Sequence, residues 1–186
     1  MIFRIANKSD TQKIAQLHAR SWQQNYSASF SKDFLENRVH ADRLSVWEER
    51  LKSTSNDQYI ILAEENMELV GFCCAYFNEN KEYGTYLDNL HVSKKGSGKG
   101  LGTKLIHFLI TEMTVRSNHK FYLWVLENNH SATRFYENLN GERAETVQAN
   151  DIGDASFSKI RYVWKNIEDL KILMAIKLKA YECGGI

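Results

Sequence analysis

The sequence predicts a single α/β domain, on three observations. Apolar runs of strand length alternate with stretches of helical periodicity along its 186 residues. Its composition, 43% hydrophobic and 25% charged, is that of an ordinary globular chain, and the length suffices for a core that is stable unaided. Residues 87–111, LDNLHVSKKGSGKGLGTKLIHFLIT, join an apolar strand to an amphipathic helix through four glycines.

Ile2, Arg4 and Ala6 frame a first strand around Phe3 and Ile5. Ser9 or Asp10 caps a helix that carries Ile14, Leu17 and His18 on one face. A second helical region is expected within 31–52, with Phe34, Leu35, Val39, Leu44, Val46, Trp47 and Leu51 as its apolar residues. Residues 59–63 and 69–77 read as neighbouring strands joined by a turn near Glu65, Asn66 and Met67, and 83–92 as the next strand. Leu101, Leu105, Phe108, Leu109 and Met113 recur at helical spacing and should face a sheet. A short buried strand is expected at 121–126, then a helix near 131–140 with Ala132, Phe135, Tyr136 and Leu139 on one side. Strands near 143–148 and 157–164 follow. A terminal helix over 167–181, with Leu170, Leu173, Met174 and Leu178 on one face, packs against its own domain or against a second subunit.

The glycine segment is built like a diphosphate cradle. Glycines let backbone N–H groups converge on an anion without obstruction from Cβ, and the helix that follows aims the positive end of its dipole at the same spot. Lys94, Lys95, Lys99 and Lys104 all fall between Asn89 and Thr111, with no Asp or Glu among them, in a chain whose net charge is only +1. The local field is therefore positive. A P-loop requires Gly-Lys-Ser/Thr, but Gly98-Lys99 is followed by Gly100. A dinucleotide fingerprint requires a third glycine that Leu101 or Thr103 replaces, depending on the frame.

The segment resembles the acetyl-CoA loop of the GNAT-type N-acetyltransferase superfamily, Arg/Gln-x-x-Gly-x-Gly/Ala, in the frame Ser97-Gly98-Lys99-Gly100-Leu101-Gly102, five residues beyond Val92. Ser97 stands where that family usually has Arg or Gln, and Lys95 and Lys99 are the side chains placed to compensate. In FYLWVLENNHSATRFYENLNGE, Asn129, Ala132, Phe135, Tyr136 and Gly141 match a second family pattern in the right order. FRIANKSDTQKIAQLHARSWQQNY resembles its first strand, first helix and Trp-containing turn. The resemblance implies residues 1–169 as the acetyltransferase domain, with 170–186 as a helical extension of it. It also implies a mostly antiparallel central sheet with two splayed parallel strands, flanked by helices.

The same resemblance implies the site. Acetyl-CoA is the expected co-substrate, bound by the main chain of Leu90, His91 and Val92, by Ser97, Gly98, Lys99, Gly100, Leu101, Gly102 and Thr103, and by Asn129 and Tyr136. Asn129 serves equally as a helix cap. Tyr136, in isolation a packed helix aromatic, falls in the family beside the CoA sulfur and can protonate the leaving thiolate. A thiol near pKa 8.5 is more acidic than a phenol near 10, so that transfer needs local help or a late, basic thiolate. Many family members carry a Glu where this chain has Tyr86. Asp88, two residues on and therefore on the same strand face, is the expected acceptor-amine ligand or base, acting directly or through water. Trp22 and Tyr26 lie where the family builds the acceptor pocket, and aromatic walls suit an amine.

The expected reaction is direct attack of a primary amine, of a small molecule or protein, on the thioester in a ternary complex. The rival reading is a CoA-binding or sensing protein without catalysis, and a nucleotide-binding module is a second. Near-neutral charge argues against nucleic-acid binding, and no apolar run approaches a membrane span. The N-terminus lacks the apolar core of a signal peptide, so a cytoplasmic monomer or homodimer is expected. Six scattered histidines predict no metal. Cys73 and Cys74 are adjacent in a strand and Cys183 stands alone, which is no disulfide framework.

Overall fold

Strand patterning of period two and helix patterning of period 3.6 are realised in seven strands and five α-helices. The strands are Ile2–Ile5 (β1), Gln58–Glu65 (β2), Glu68–Asn80 (β3), Gly84–Val92 (β4), Phe121–Leu126 (β5), Glu142–Ala149 (β6) and Phe157–Trp164 (β7). The helices are Thr11–Asn25 (α1), Val39–Lys52 (α2), Leu101–Val115 (α3), His130–Glu137 (α4) and Ile167–Cys183 (α5). This computed structural model describes residues 1–53 and 55–183, without the side chains of 182 and 183. The isolated thiol of Cys183 and residues 184–186 of the C-terminal extension thus lie outside the described residues.

One sheet runs in the order β1-β2-β3-β4-β5-β7-β6, antiparallel throughout except for the β4–β5 pair. Its two faces are read from adjacent residues of β3. Cys73 and Ala75 belong to the core under α3, α4 and α5, whereas Phe72 and Cys74 belong to the core under α1 and α2. The two cysteines therefore point to opposite faces, as expected. Burial pushes both thiols up, Cys74 to about 12.

On α3, Leu101, Leu105, Ile106, Leu109, Ile110 and Met113 are all buried against the sheet. Phe108, expected on that face, is 37% exposed and packs on Phe3 of β1 at a centroid distance of 4.6 Å. Ile106 and Ile110 complete the stripe in its place. The expected helix within 31–52 is interrupted by a π-helical turn at Phe34–Arg38 before α2 begins. The extra residue in that turn lets Phe34, Leu35 and Val39 enter a cluster with Trp22 and Phe30, while Trp47 and Leu51 enter the α1 core.

The expected cap of α1 is also corrected. Asn7 caps a 3₁₀ turn at Lys8–Asp10, and Asp10 is buried and returns a side-chain contact to the Asn7 N–H at 2.9 Å. Both Asp10 oxygens accept from Arg4, at 2.8 and 2.7 Å, and Arg4 bridges onward to Glu64 on β2. Arg4 holds the Asp10 carboxyl below its ordinary value, and Glu64 likewise.

Because the folded carboxyl values are depressed, this pair stabilises the fold fully above about pH 4, and the stabilisation is lost as pH falls through the lowered values. Arg4→Met should cost on the order of 2–3 kcal/mol at pH 7 and flatten the acid limb of a Tm-versus-pH profile. A variant melting in parallel with wild type at every pH would remove the pair from the stability of the fold.

Candidate active site

The site begins where the β4–β5 ladder ends. The two strands pair at Thr85↔Phe121, Tyr86↔Tyr122 and Leu87↔Leu123 and no further, while β5 continues on β7 as far as Leu126↔Lys159. From residue 88 onward β4 therefore presents an open edge on its β5 side. The break coincides with a β-bulge, because Cys74 pairs with Asn89 and Ala75 with Leu87, leaving Asp88 as the extra residue. Strict alternation would send Asp88 and Asn89 to opposite faces, yet Arg50 of α2 reaches both. Asp88 thus shares the face of Tyr86 as expected, and the bulge adds Asn89 to it.

A cleft of about 450 Å³ fills the gap, with walls from α1, α2, β4, the glycine loop, β5, α4, β7 and the end of α5. On leaving β4, the Ser93 carbonyl accepts from the N–H groups of Gly96 and Ser97. Gly98 and Gly100 then adopt φ of 75° and 69°, a left-handed geometry that glycine alone takes without cost. Among the described residues no acceptor meets the N–H groups of residues 98–103, and α3 starts at Leu101 without a side-chain cap. A ring of open donors at the positive end of a helix dipole fits a diphosphate.

Ser97, Gly98, Gly100, Leu101, Gly102 and Thr103 all line the cleft, as do Leu90, His91 and Val92. Lys99 does not, because it turns to Glu65 at 3.5 Å, and Lys95 pairs with Glu68. Neither lysine stands in for the family's Arg or Gln at Ser97. The sequence reading passed over Tyr181 of α5, whose ring covers this loop: a Cβ on Gly100 would lie 2.7 Å from its Cδ2.

Opposite the loop, Asn129 caps α4, its Oδ1 accepting from the Ala132 N–H at 3.2 Å, and still faces the cleft. Tyr136 is 7% exposed and faces the same space, and its hydroxyl has no hydrogen-bond partner among the described residues. Burial raises its phenol well above the ordinary value, with Tyr26 and Cys73 adding to the rise. It is a neutral donor at pH 7. Tyr26 is pushed up to about 12 by burial, against the pull of Arg43 and of the Asn129 side chain.

The far wall is aromatic and charged. Trp22 stacks on Phe30 at 5.2 Å and lies under the Arg43 guanidinium at 4.2 Å. Asp88 Oδ2 forms an ion pair with Arg50 Nη2 at 2.5 Å and lies in the cleft wall. His91 Nδ1 lies 2.8 Å from Ser21 Oγ, and its ring packs on His18 at 4.4 Å. Burial, with Arg43 adding to it, pushes His91 down to about 3, so the ring is neutral. His18, also neutral through burial, accepts from Trp47 Nε1 at 3.0 Å.

Arg43, Arg50, Ser21 and the His91 side chain were not read as site residues from the sequence. Arg43 carried a signal, since it occupies the buried i, i+4 series Val39, Arg43, Trp47, Leu51 where an apolar residue belongs. Arg50 carried none, because its partners lie 38 and 39 positions away. Among the described residues no group of three or more His, Cys, Asp or Glu side chains is placed to hold a metal, and no helix is long and apolar enough to cross a membrane.

Known proteins match on both sequence and shape. A probable spermine N(1)-acetyltransferase of Bacillus subtilis subsp. natto is 34% identical over 85 residues, 40% of this chain and 56% of that protein. The chain therefore spans little more than half the length of that curated relative. The N-acetyltransferase PaiA from Thermoplasma acidophilum, solved in complex with coenzyme A, superposes with a TM-score of 0.67 at 19% identity, covering 88% of this chain and 100% of that one. YncA of Salmonella typhimurium, solved with acetyl-CoA, gives 0.61 at 19% identity, covering 88% and 92%. These solved structures share the fold. Residues 12–141, well over half the sequence, match the pattern of the acetyltransferase (GNAT) family, and the chain belongs to that family.

Proposed function

We propose that the protein transfers an acetyl group from acetyl-CoA to a primary amine of a small molecule or protein, by direct attack in a ternary complex. The observation that carries this reading is the continuity of the open β4 edge with the unpaired N–H groups of residues 98–103. One length of cleft thus offers backbone pairing and then diphosphate binding. Residues 1–169 form the catalytic domain in this reading, with 170–186 as an extension of it.

The roles follow from the geometry. The main chain of Leu90, His91 and Val92 pairs with the amides of the pantetheine arm, and an N–H near Val92 stabilises the oxyanion as the amine attacks. The glycine loop holds the diphosphate, and Asn129 holds the arm from the α4 side. Asp88, held in the cleft wall by Arg50, takes the proton of the acceptor amine, directly or through water. Tyr136 delivers a proton to the departing thiolate. Burial raises the phenol and so keeps it protonated at pH 7, but it also makes it a weaker acid, so the transfer depends on a late thiolate that the same desolvation makes more basic. Trp22 and Tyr26 wall the acceptor. Positioning and oxyanion stabilisation supply most of the rate. No acyl-enzyme is invoked, since Cys73 and Cys74 are buried with raised pKa values.

Acetyl-CoA at a hundred times its Kd should raise Tm by about 5–10 °C, with ATP and NAD inert. Stabilisation by a nucleotide alone would refute the cofactor assignment. Acetyl-CoA binding without transfer to any amine would leave a sensor of the same fold.

Tyr136→Phe should lower kcat about 10–100-fold with the acetyl-CoA Kd unchanged, and Asp88→Asn should lower kcat/KM for the acceptor about 100-fold. Steady-state kinetics beside a binding titration separates the two, and unchanged turnover removes either residue from the mechanism.

In the loop, Gly98→Ala should cost about 1 kcal/mol, from its positive φ alone, because nothing lies within 4 Å of the added methyl. Gly100→Ala adds displacement of the Tyr181 ring and should cost more. Urea unfolding of both variants checks the order.

A further inference from the structure

The acceptor end of the cleft is more cationic than an amine site requires. Three cations stand in its wall, Arg43, Arg50 and Lys159, with two carboxylates, Asp88 and Asp151. Both carboxylates are already engaged, Asp88 with Arg50 at 2.5 Å and Asp151 with Lys159 at 2.6 Å. Arg43 has its counter-ion outside the wall. Its Nε and Nη2 lie 2.7 and 2.6 Å from Asp42 Oδ2, on the solvent side of α2.

Arg43 is the anomaly. Its side chain is 8% exposed, its guanidinium lies over Trp22, and Nη1 meets no acceptor among the described residues. Burial, the largest cause, and the neighbouring Arg50 cation lower its pKa, and Asp42 and Asp88 offset this only in part. Beyond its contact with Asp42, Arg43 lines the cleft with a donor to spare, and the planar fork of Arg is matched to a carboxylate. Asp88 presents the complementary group on the same wall, a carboxylate ion-paired with Arg50.

We propose that the acceptor is an amine that also bears a carboxylate, of the amino-acid type, its carboxylate met by Arg43 and its amine by Asp88. This rests on the acetyltransferase reading above and narrows it. A polyamine, which carries several positive charges and no negative one, finds no free carboxylate here beyond Asp88 and would face Arg43 and Arg50. The curated relative named for spermine therefore does not supply the acceptor class of this chain.

The test uses matched acceptors that differ only in the carboxylate. CoA release is followed with acetyl-CoA and the twenty amino acids, then with cadaverine against lysine, tyramine against tyrosine, and spermidine. The expected result is a kcat/KM at least tenfold higher for the carboxylate-bearing member of a pair. Arg43→Gln should raise KM for that member at least tenfold and erase the preference, with kcat and the acetyl-CoA Kd within about twofold of wild type. Arg43→Lys should restore part of the preference, which a purely structural role would not do. If Arg43→Gln fails to fold, as judged by its melting curve, the wild-type preference and the Arg43→Lys variant decide the matter. Preference for spermidine or a decarboxylated amine, turnover of no amino acid, or equal loss of both pair members in the variants would overturn the proposal. In each of those cases an acetyl-CoA-induced Tm shift together with turnover of any amine leaves the acetyltransferase reading standing, a shift without turnover leaves the CoA-binding reading, and absence of the shift overturns both.

Discussion

Past Leu87 and Leu123 the parallel ladder between β4 and β5 stops, although β5 stays paired with β7 on its other edge as far as Leu126, while β4 turns on its bulge toward the glycine loop. A sheet interior with an open strand edge is normally a liability. Here it is enclosed by α1 and α2 on one side and α3 and α4 on the other, and it opens into the cleft. The donors of the loop continue that edge, and the tyrosine of α4 and the charges of α2 are placed relative to it. Three residue pairs, and the point at which they end, organise the rest of the molecule.

The two faces of the sheet divide the labour. On the α3 face the core is almost wholly aliphatic and aromatic, and α3 is held there by six buried side chains, which fixes the direction of its dipole. On the α1–α2 face the packing is mixed, with His18, Trp47, Phe72 and His91 in edge and tilted ring contacts and guanidinium groups laid over indoles. Such a wall keeps its shape through stacking while presenting polar tips to the cleft.

Much of this was legible in the sequence because the determinants are local. The glycine spacing, the helical recurrence of Leu101, Leu105, Leu109 and Met113, and the Asn129 to Tyr136 pattern each sit within one element, and each fell where expected. What escaped depends on distance or on a change of phase. The turn at Phe34–Arg38 shifts the helical period by one residue, which no composition signals. Phe108 shares the apolar character of its neighbours but not their angle around α3. Arg50 gains meaning only from Asp88 and Asn89, and Arg43 was hidden by the habit of assigning charged residues to surfaces, although its buried series was written in the sequence. Tyr181 reaches Gly100 from 81 residues away, and nothing in either segment announces the meeting.

The bulge at Asp88 has a consequence for how such a site tolerates change over generations. Side chains along β4 can be exchanged one at a time, and each exchange leaves the pairing intact. Removing a single residue between Gly84 and Val92 would instead take away the bulge and turn the side chains beyond it to the opposite face. Chain length in this stretch is therefore a quantity that inheritance must hold constant, in addition to the identity of Asp88. Insertions and deletions, harmless in the surface turns, would here re-aim the side chains of the cleft wall.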